Sequence, residues 1–258
     1  MTVSADSAIV SRLRAAGCVF AEDEAELLLR SAATPAELTA MVDRRVAGFP
    51  LEQVLGWVEF RGLRIAVEPG VFVPRRRTEF LVQRAVELAP PRPVVVDLCC
   101  GSGAIGAALA AVLDLAELHA ADVDPAAVGC ARRNIGAHGE VHKGDLFDPL
   151  PAQLRGRIDL LPANVPYVPS EAVDLLPPEA RLHEPLVALD GGADGLDIIR
   201  RVAAEAPRWL APGGHLLVEA SEQQGPLLAE LFARHGLAPD VVMCEELGAT
   251  VVTGTAAG

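Results

Sequence analysis

Lysine is all but missing: Lys143 is the only one in a chain of 258 residues. With 35 acidic and 22 basic residues the formal net charge is −13, a field that repels nucleic acid unless basic residues gather on one face. They gather once, in "PRRRTE", where Arg75, Arg76 and Arg77 stand together. That small patch is either a solvated loop ahead of a helix or a steering site for an acidic or RNA-associated partner. No apolar run reaches the about 18 residues that suggest a membrane-spanning helix. The opening stretch "MTVSADSAIVSRLRAAG" carries an early acid and no apolar core, so a secretory signal is not expected. Cys18, Cys99, Cys100, Cys130 and Cys244 form no CxxC pair and are odd in number, as in a reduced, cytoplasmic protein. The six histidines are scattered and show no HExxH spacing, so no metal site is expected. Repeats and low-complexity segments are absent as well.

What is present is apolar material, 51% of the chain, enough for one main domain with an appendage. The first fifty or so residues predict helices. "SAIVSRLRAAG" puts Ile9, Val10 and Leu13 on one face and stops at Gly17, and "AEDEAELLLRSAA" carries acids in its first turn and a leucine stripe. "TPAELTAMVDRRVAG" has Thr34 as N-cap, Pro35 at the first helical position and Glu37 two further on, a capping box. "FRGLRIAVEPGVFVP" predicts a hairpin linker. The expected division is a helical domain over 1–56, the linker over 57–77 and an α/β domain over 78–258.

From residue 78 helices and strands alternate. "PVVVDL", "AELHAADV", "EVHKGD", "IDLLPAN" and "GGHLLVEAS" predict strands, separated by helices such as "AIGAALAAVL", "PAAVGCARRNIGA" and "GLDIIRRVAAEAPRWL". That order demands a mostly parallel sheet with helices on both faces. "DVVMCEE" and "ATVVTG" predict a final antiparallel hairpin at its edge.

"VVVDLCCGSGAIG" sets Gly101-Ser102-Gly103-Ala104-Ile105-Gly106 between a strand and a helix. This spacing satisfies the dinucleotide fingerprint, and Asp122, about twenty residues on, stands where an acid holds ribose hydroxyls, so NAD is a competitor. Asp97 favours another cofactor. Placed at a strand end facing the crevice, its charge would oppose a diphosphate, whereas S-adenosylmethionine offers a sulfonium and an ammonium instead. Asp145, in "KGDLF", would accept from the adenine amine.

"PANVPYVPS", residues 162–170, ends a further strand at the same edge. An amide or exocyclic amine is a weak nucleophile because its lone pair is delocalised. Acceptors on both of its N–H bonds fix the nitrogen and favour the cationic form that develops during methyl transfer. Asn164 would supply one through its side chain and residue 165 the other through its carbonyl, with Tyr167 stacking on the flat group. Pro166 keeps the residue before it extended. A proline at 165 would add restraint that Val165 replaces only in part, through its branched side chain.

The chain resembles, along nearly its whole length, the protein-(glutamine-N5) methyltransferases of the HemK/PrmC type. The likeness rests on "PLEQVLGWVEFRGLRIAVEPGVFVPRRRTEFLV", "DLCCGSGAIG", "NVPY", "RLHEPLVALDGGADGL" and "LLVEASEQQG". It departs from that family's pattern at Arg76, Arg77, Val165, His183 and the tail "EELGATVVTG". The resemblance implies a class I, Rossmann-like methyltransferase fold with a mostly parallel seven-stranded sheet and a small helical N-terminal domain that helps hold a protein substrate. It implies S-adenosyl-L-methionine as cofactor, released as S-adenosyl-L-homocysteine, and the glutamine of a Gly-Gly-Gln loop in a peptide-chain release factor as acceptor. Cys99, Cys100, Gly101, Ser102, Gly103, Asp122, Leu146 and Asn164 would bind the cofactor; Asn164, Val165, Pro166 and Tyr167 would bind the glutamine. A cytoplasmic monomer without a nucleic-acid or membrane partner is expected. An N6-adenine nucleic-acid methyltransferase, a small-molecule N-methyltransferase and a non-catalytic cofactor-binding module are the competing readings. The first shares the Asn-Pro-Pro-Tyr motif but needs basic residues for phosphate contacts.

Overall fold

A computed structural model describes residues 2–258. Four helices open the chain: α1 (Thr2–Ala15), α2 (Ala21–Ser31), α3 (Pro35–Val46) and the unanticipated α4 (Leu51–Leu55). They close over a cluster of their own that includes Leu13, Leu28, Met41, Val42 and Val54, with Ile9 and Val10 packed against it. At α3 the Thr34 hydroxyl accepts the Glu37 N–H at 3.1 Å, as the capping pattern requires. The Glu37 carboxylate reaches one residue further back than that pattern, to the N–H of Ala33 at 2.7 Å.

Gly56, left-handed at φ 80°, ends α4 and turns the chain into a hairpin of β1 (Trp57–Phe60) and β2 (Leu63–Ala66). Its two-residue turn puts Arg61 and Gly62 at φ 49° and 76°, the primed geometry that matches strand twist. The Asn134 side chain binds β2 from the opposite side. It accepts from the Ala66 N–H at 2.8 Å and donates to the carbonyls of Ala66 at 2.9 Å and Ser102 at 2.8 Å. The hairpin and the glycine turn are thereby held by one side chain.

The remaining elements follow in order: α5 (Thr78–Leu88), β3 (Val94–Leu98), α6 (Ala104–Val112), β4 (Glu117–Asp122), α7 (Pro125–Ile135), β5 (Glu140–Lys143), β6 (Ile158–Ala163), α8 (Pro178–His183), α9 (Asp197–Glu205), β7 (Leu210–Ala220), α10 (Gly225–Arg234), β8 (Ala238–Cys244) and β9 (Ala249–Thr255). One seven-stranded sheet has the order β5-β4-β3-β6-β7-β9-β8. The pairs from β5 to β7 are parallel; β9 runs against both β7 and β8. Phe80, Leu81, Ala107, Leu109, Ala131 and Ile135 fill one face from α5, α6 and α7, while Ile199, Val202, Leu228 and Phe232 fill the other from α9 and α10. β3 is buried at every position, as a central parallel strand must be.

α9 is shorter than its apolar periodicity suggested. The chain leaves it at Ala206 for a short tighter turn, because Pro207 has no N–H to continue the ladder. Among the described residues no helix is long and apolar enough to cross a membrane.

Candidate active site

β3 lies between β4 and β6, so the chain order of the strands reverses there, and a crevice opens at the carboxyl ends. A cavity of about 780 Å³ occupies it, reaching from the glycine turn to the Asn-Val-Pro-Tyr segment. Cys99, Cys100, Gly101, Ser102, Asp122, Asp145, Leu146, Asn164, Val165, Pro166 and Tyr167 all line it. Two of these, Cys99 at φ 56° and Leu146 at φ 47°, are non-glycine residues in the left-handed region. Such backbone costs about 1–3 kcal/mol per residue and concentrates at ligand clamps.

Two expectations need correction. Asp97 does not face the crevice. It is fully buried beneath the glycine turn, where Oδ2 accepts the Gly106 N–H at 2.9 Å and, among the described residues, Oδ1 has no partner. Burial pushes its carboxyl up to about 8, against the pull of the Gly106 hydrogen bond. Covered, and with burial favouring its protonated form, this acid presents no charge to the crevice by which a cofactor could be selected. Gly103 does not line the cavity either. A Cβ there would meet the Ala131 Cβ at 3.0 Å, so this glycine lets α6 approach α7. Gly106 has the parallel role over Asp97, whose Oδ2 a Cβ would meet at 3.3 Å.

The other two acids do line the cavity. Asp122 ends β4 and accepts from the N–H of Gly101 and of Asp124, both at 2.9 Å, which ties its carboxylate to the glycine turn. Burial raises its pKa; each oxygen retains a lone pair for a further donor. Asp145 is already paired with Arg201 of α9 at 2.5 Å, a partner that its sequence context did not reveal. The same holds for the other arginines of the lining: Arg75 pairs with Glu184 at 2.6 Å and Arg77 with Glu219 at 2.9 Å. A diphosphate would therefore find these three cations already committed, whereas a ribose meets Asp122, whose carboxylate is held only by backbone N–H groups. The donor set fits S-adenosylmethionine through Asp122 rather than Asp97, with Asp145 at the lining but shared with Arg201.

At the end of β6, Asn164 is half-buried and Val165 is 2% exposed, its side chain set in the core. Among the described residues, neither the Asn164 side chain nor the Val165 carbonyl makes a hydrogen bond within the chain. Tyr167 is anchored at both ends. Its hydroxyl donates to Glu219 Oε1 at 2.8 Å, and its carbonyl accepts from the Gln224 side chain at 3.0 Å. Burial and the neighbouring Glu219 hold the phenol well above its ordinary pKa, so it stays protonated. Glu219 also takes the Arg77 Nε–H at 2.9 Å and the Thr78 hydroxyl at 2.6 Å. Reading the sequence missed this carboxylate as a functional group; the only signals were an acid in an otherwise apolar strand and the matched glutamine segment after it.

The sequence family described as "Methyltransferase small domain" matches residues 62–175. A release factor glutamine methyltransferase from Geobacter sulfurreducens is 41% identical over 208 residues, covering 78% of this chain and 72% of that protein. The one from Gloeobacter violaceus is 44% identical over 208 residues, covering 77% and 71%. Among solved structures, a methyltransferase from Pyrococcus furiosus matches with a TM-score of 0.59 at 15% identity, over 77% of this chain and 91% of that one. That last likeness is one of fold.

Proposed function

We propose, on the premise that this chain belongs to the release factor glutamine methyltransferase family, that it methylates the side-chain amide nitrogen (N5) of a glutamine in a protein. The substrate is the Gly-Gly-Gln glutamine of a peptide-chain release factor. The observation that carries the reading is the pair of uncommitted oxygens, Asn164 Oδ1 and the Val165 carbonyl, on adjacent residues in one cavity with the glycine turn.

S-adenosyl-L-methionine, when bound, supplies a methyl group on a sulfonium sulfur. The residues that would hold it are Asp122 for the ribose hydroxyls, Asp145 and Leu146 for the adenine, the turn from Cys99 to Ser102, and Asn164. Asn164 and Val165 accept the two N–H bonds of the glutamine amide. They fix its plane and aim the nitrogen lone pair. These hydrogen bonds strengthen as positive charge grows on nitrogen, so they lower the barrier more than they tighten ground-state binding. Tyr167 covers the amide and excludes water, its hydroxyl held by Glu219 and its backbone carbonyl by Gln224. The proton leaves after the N–C bond forms, so no side chain has to abstract it from the weakly acidic amide.

The helical domain over 1–56 joins the substrate-holding surface. Arg45 of α3 supports this, donating to Glu179 at 2.6 Å in α8, the element beside the cavity mouth.

The test is transfer of tritiated methyl from S-adenosylmethionine to purified release factor, with bulk DNA as the competing acceptor, followed by peptide mapping. Label confined to the Gly-Gly-Gln peptide supports the reading, and label on DNA replaces it with the nucleic-acid one.

A further inference from the structure

His119 and His142 are 23 residues apart in sequence and meet side by side on the sheet, His119 Nδ1 lying 3.0 Å from His142 Nε2. Register brings them together: β4 and β5 are parallel, with His119 opposite Glu140 and Ala121 opposite His142. Side chains alternate along a strand. Leu118, Ala120 and Val141 point to the face covered by α6 and α7, so His119, Glu140 and His142 share the opposite face.

We propose that His119, His142 and Glu140 form a site for one divalent ion of the zinc class. Donor atoms of the three residues lie within 4.8 Å of one another. Two imidazoles on a tetrahedral zinc at about 2.0–2.1 Å hold their nitrogens about 3.3 Å apart, close to the separation seen. Without metal, a proton must sit between two nitrogens this close; the ion takes that place. Glu117 Oε2 stands 3.5 Å from Nε2 on the far side of the His119 ring, favouring the proton there and leaving Nδ1 its lone pair. Glu117 is itself held by Arg157 at 2.6 Å. The Glu140 carboxylate is 3.9 Å from His142 Nε2 and mostly exposed, free to close by rotation and leaving a fourth position to water. Two imidazoles and one carboxylate suit zinc, cobalt or nickel rather than magnesium or calcium.

The ion would cross-link the four-residue edge strand β5 to β4. Beyond β5 the chain runs directly into Asp145 and Leu146 of the cavity. The site is thus a clamp behind the adenine end of the crevice, remote from the Asn-Val-Pro-Tyr chemistry.

The test is titration of the untagged, chelator-stripped chain with Co(II), and with zinc in a thermal melt. One equivalent of cobalt should bind with visible d–d bands and without thiolate charge-transfer absorption, and zinc should displace it and raise the melting temperature. His142→Ala and Glu140→Gln should each weaken binding at least about tenfold. Glu140 is on the surface, so its variant keeps the fold and remains informative if His142→Ala does not. An adventitious ion only would show as cobalt unaffected by Glu140→Gln, or bound with thiolate absorption. Either result, or no saturation at micromolar metal, overturns the site.

Discussion

The Tyr167 hydroxyl and the Arg77 Nε–H donate to the same oxygen of Glu219, at 2.8 Å and 2.9 Å, while Thr78 Oγ1 donates to the other at 2.6 Å. Glu219 is 2% exposed. The two oxygens of this buried carboxylate accept from three donors, and so it fixes the one tyrosine of the chain against the cavity.

Glu219→Gln replaces one acceptor oxygen by an NH₂ group that must face a donor. The expected loss is about 2–3 kcal/mol of stability, less than for a fully buried pair because Arg77 reaches solvent. Turnover should fall while the cofactor affinity holds. Tyr167→Phe, which keeps the ring, should cost only about 1 kcal/mol. Urea denaturation and the separation of kcat from KM check both.

Asn164→Ala removes one of the two oxygens assigned to the glutamine amide. By analogy with loss of a single preorganised hydrogen-bond partner for a charged transition state, kcat should drop about 10²–10³-fold. Cofactor affinity, measured calorimetrically, should change far less, since the glycine turn and Asp122 remain. Equal losses in both would mean that Asn164 serves the cofactor alone.

Val165→Pro asks whether the backbone there already has a proline-compatible shape. Among the described residues the Val165 N–H makes no hydrogen bond, so none is lost. Stability should stay level or rise by about 0.5–1 kcal/mol through the stiffer unfolded chain, and the KM for the protein substrate should not increase. A large destabilisation would show instead that the valine side chain is needed in the core.

Arg45 joins the helical domain to α8. It is 8% exposed as a side chain and makes two hydrogen bonds to Glu24, at 2.6 and 3.0 Å, besides the one to Glu179. Arg45→Ala strands the buried Glu24 charge and should cost about 3–5 kcal/mol. Glu179 is 45% exposed, so Glu179→Gln should cost under about 1 kcal/mol in a melt. Its effect belongs in the KM for release factor, which is the readout for a role of this contact in substrate holding.

The glycine turn, the alternation of strands and helices and the Asn-Val-Pro-Tyr edge were legible because each is local: a strand, then a tight turn or proline, then a helix or loop. Depth was not. Alternation along β3 tells on which face Asp97 lies, but only the packing of α6 shows that Gly106 covers it. The Arg77–Glu219–Tyr167 group and the Asp145–Arg201 pair join segments distant in sequence, and they depend on β7 lying beside β6 and on α9 crossing the sheet. The histidine pair was hidden for the same reason: metal spacing rules search within one helix or loop, and here the register of two parallel strands supplies the juxtaposition.

Asp97 also gives the chain a pH signature. Its folded pKa is raised to about 8, first by burial, whereas in the unfolded chain an aspartate titrates near about 3.9. Between those values the folded state keeps a proton that the unfolded state has lost. Stability from this group is therefore complete below about pH 4, declines as pH rises by up to about 1.4 kcal/mol per unit, and levels off above about 8. Exposed carboxylates paired with arginine act in the opposite direction, so the clean comparison is with Asp97→Asn. The amide can still accept from Gly106 and cannot ionise. From about pH 5 to about pH 9, native stability should fall relative to this variant by about 2 kcal/mol or more, measured by denaturant titration at each pH. A difference constant across that range would mean that Asp97 carries its charge in the fold, and the crevice would then regain the buried anion that the sequence suggested.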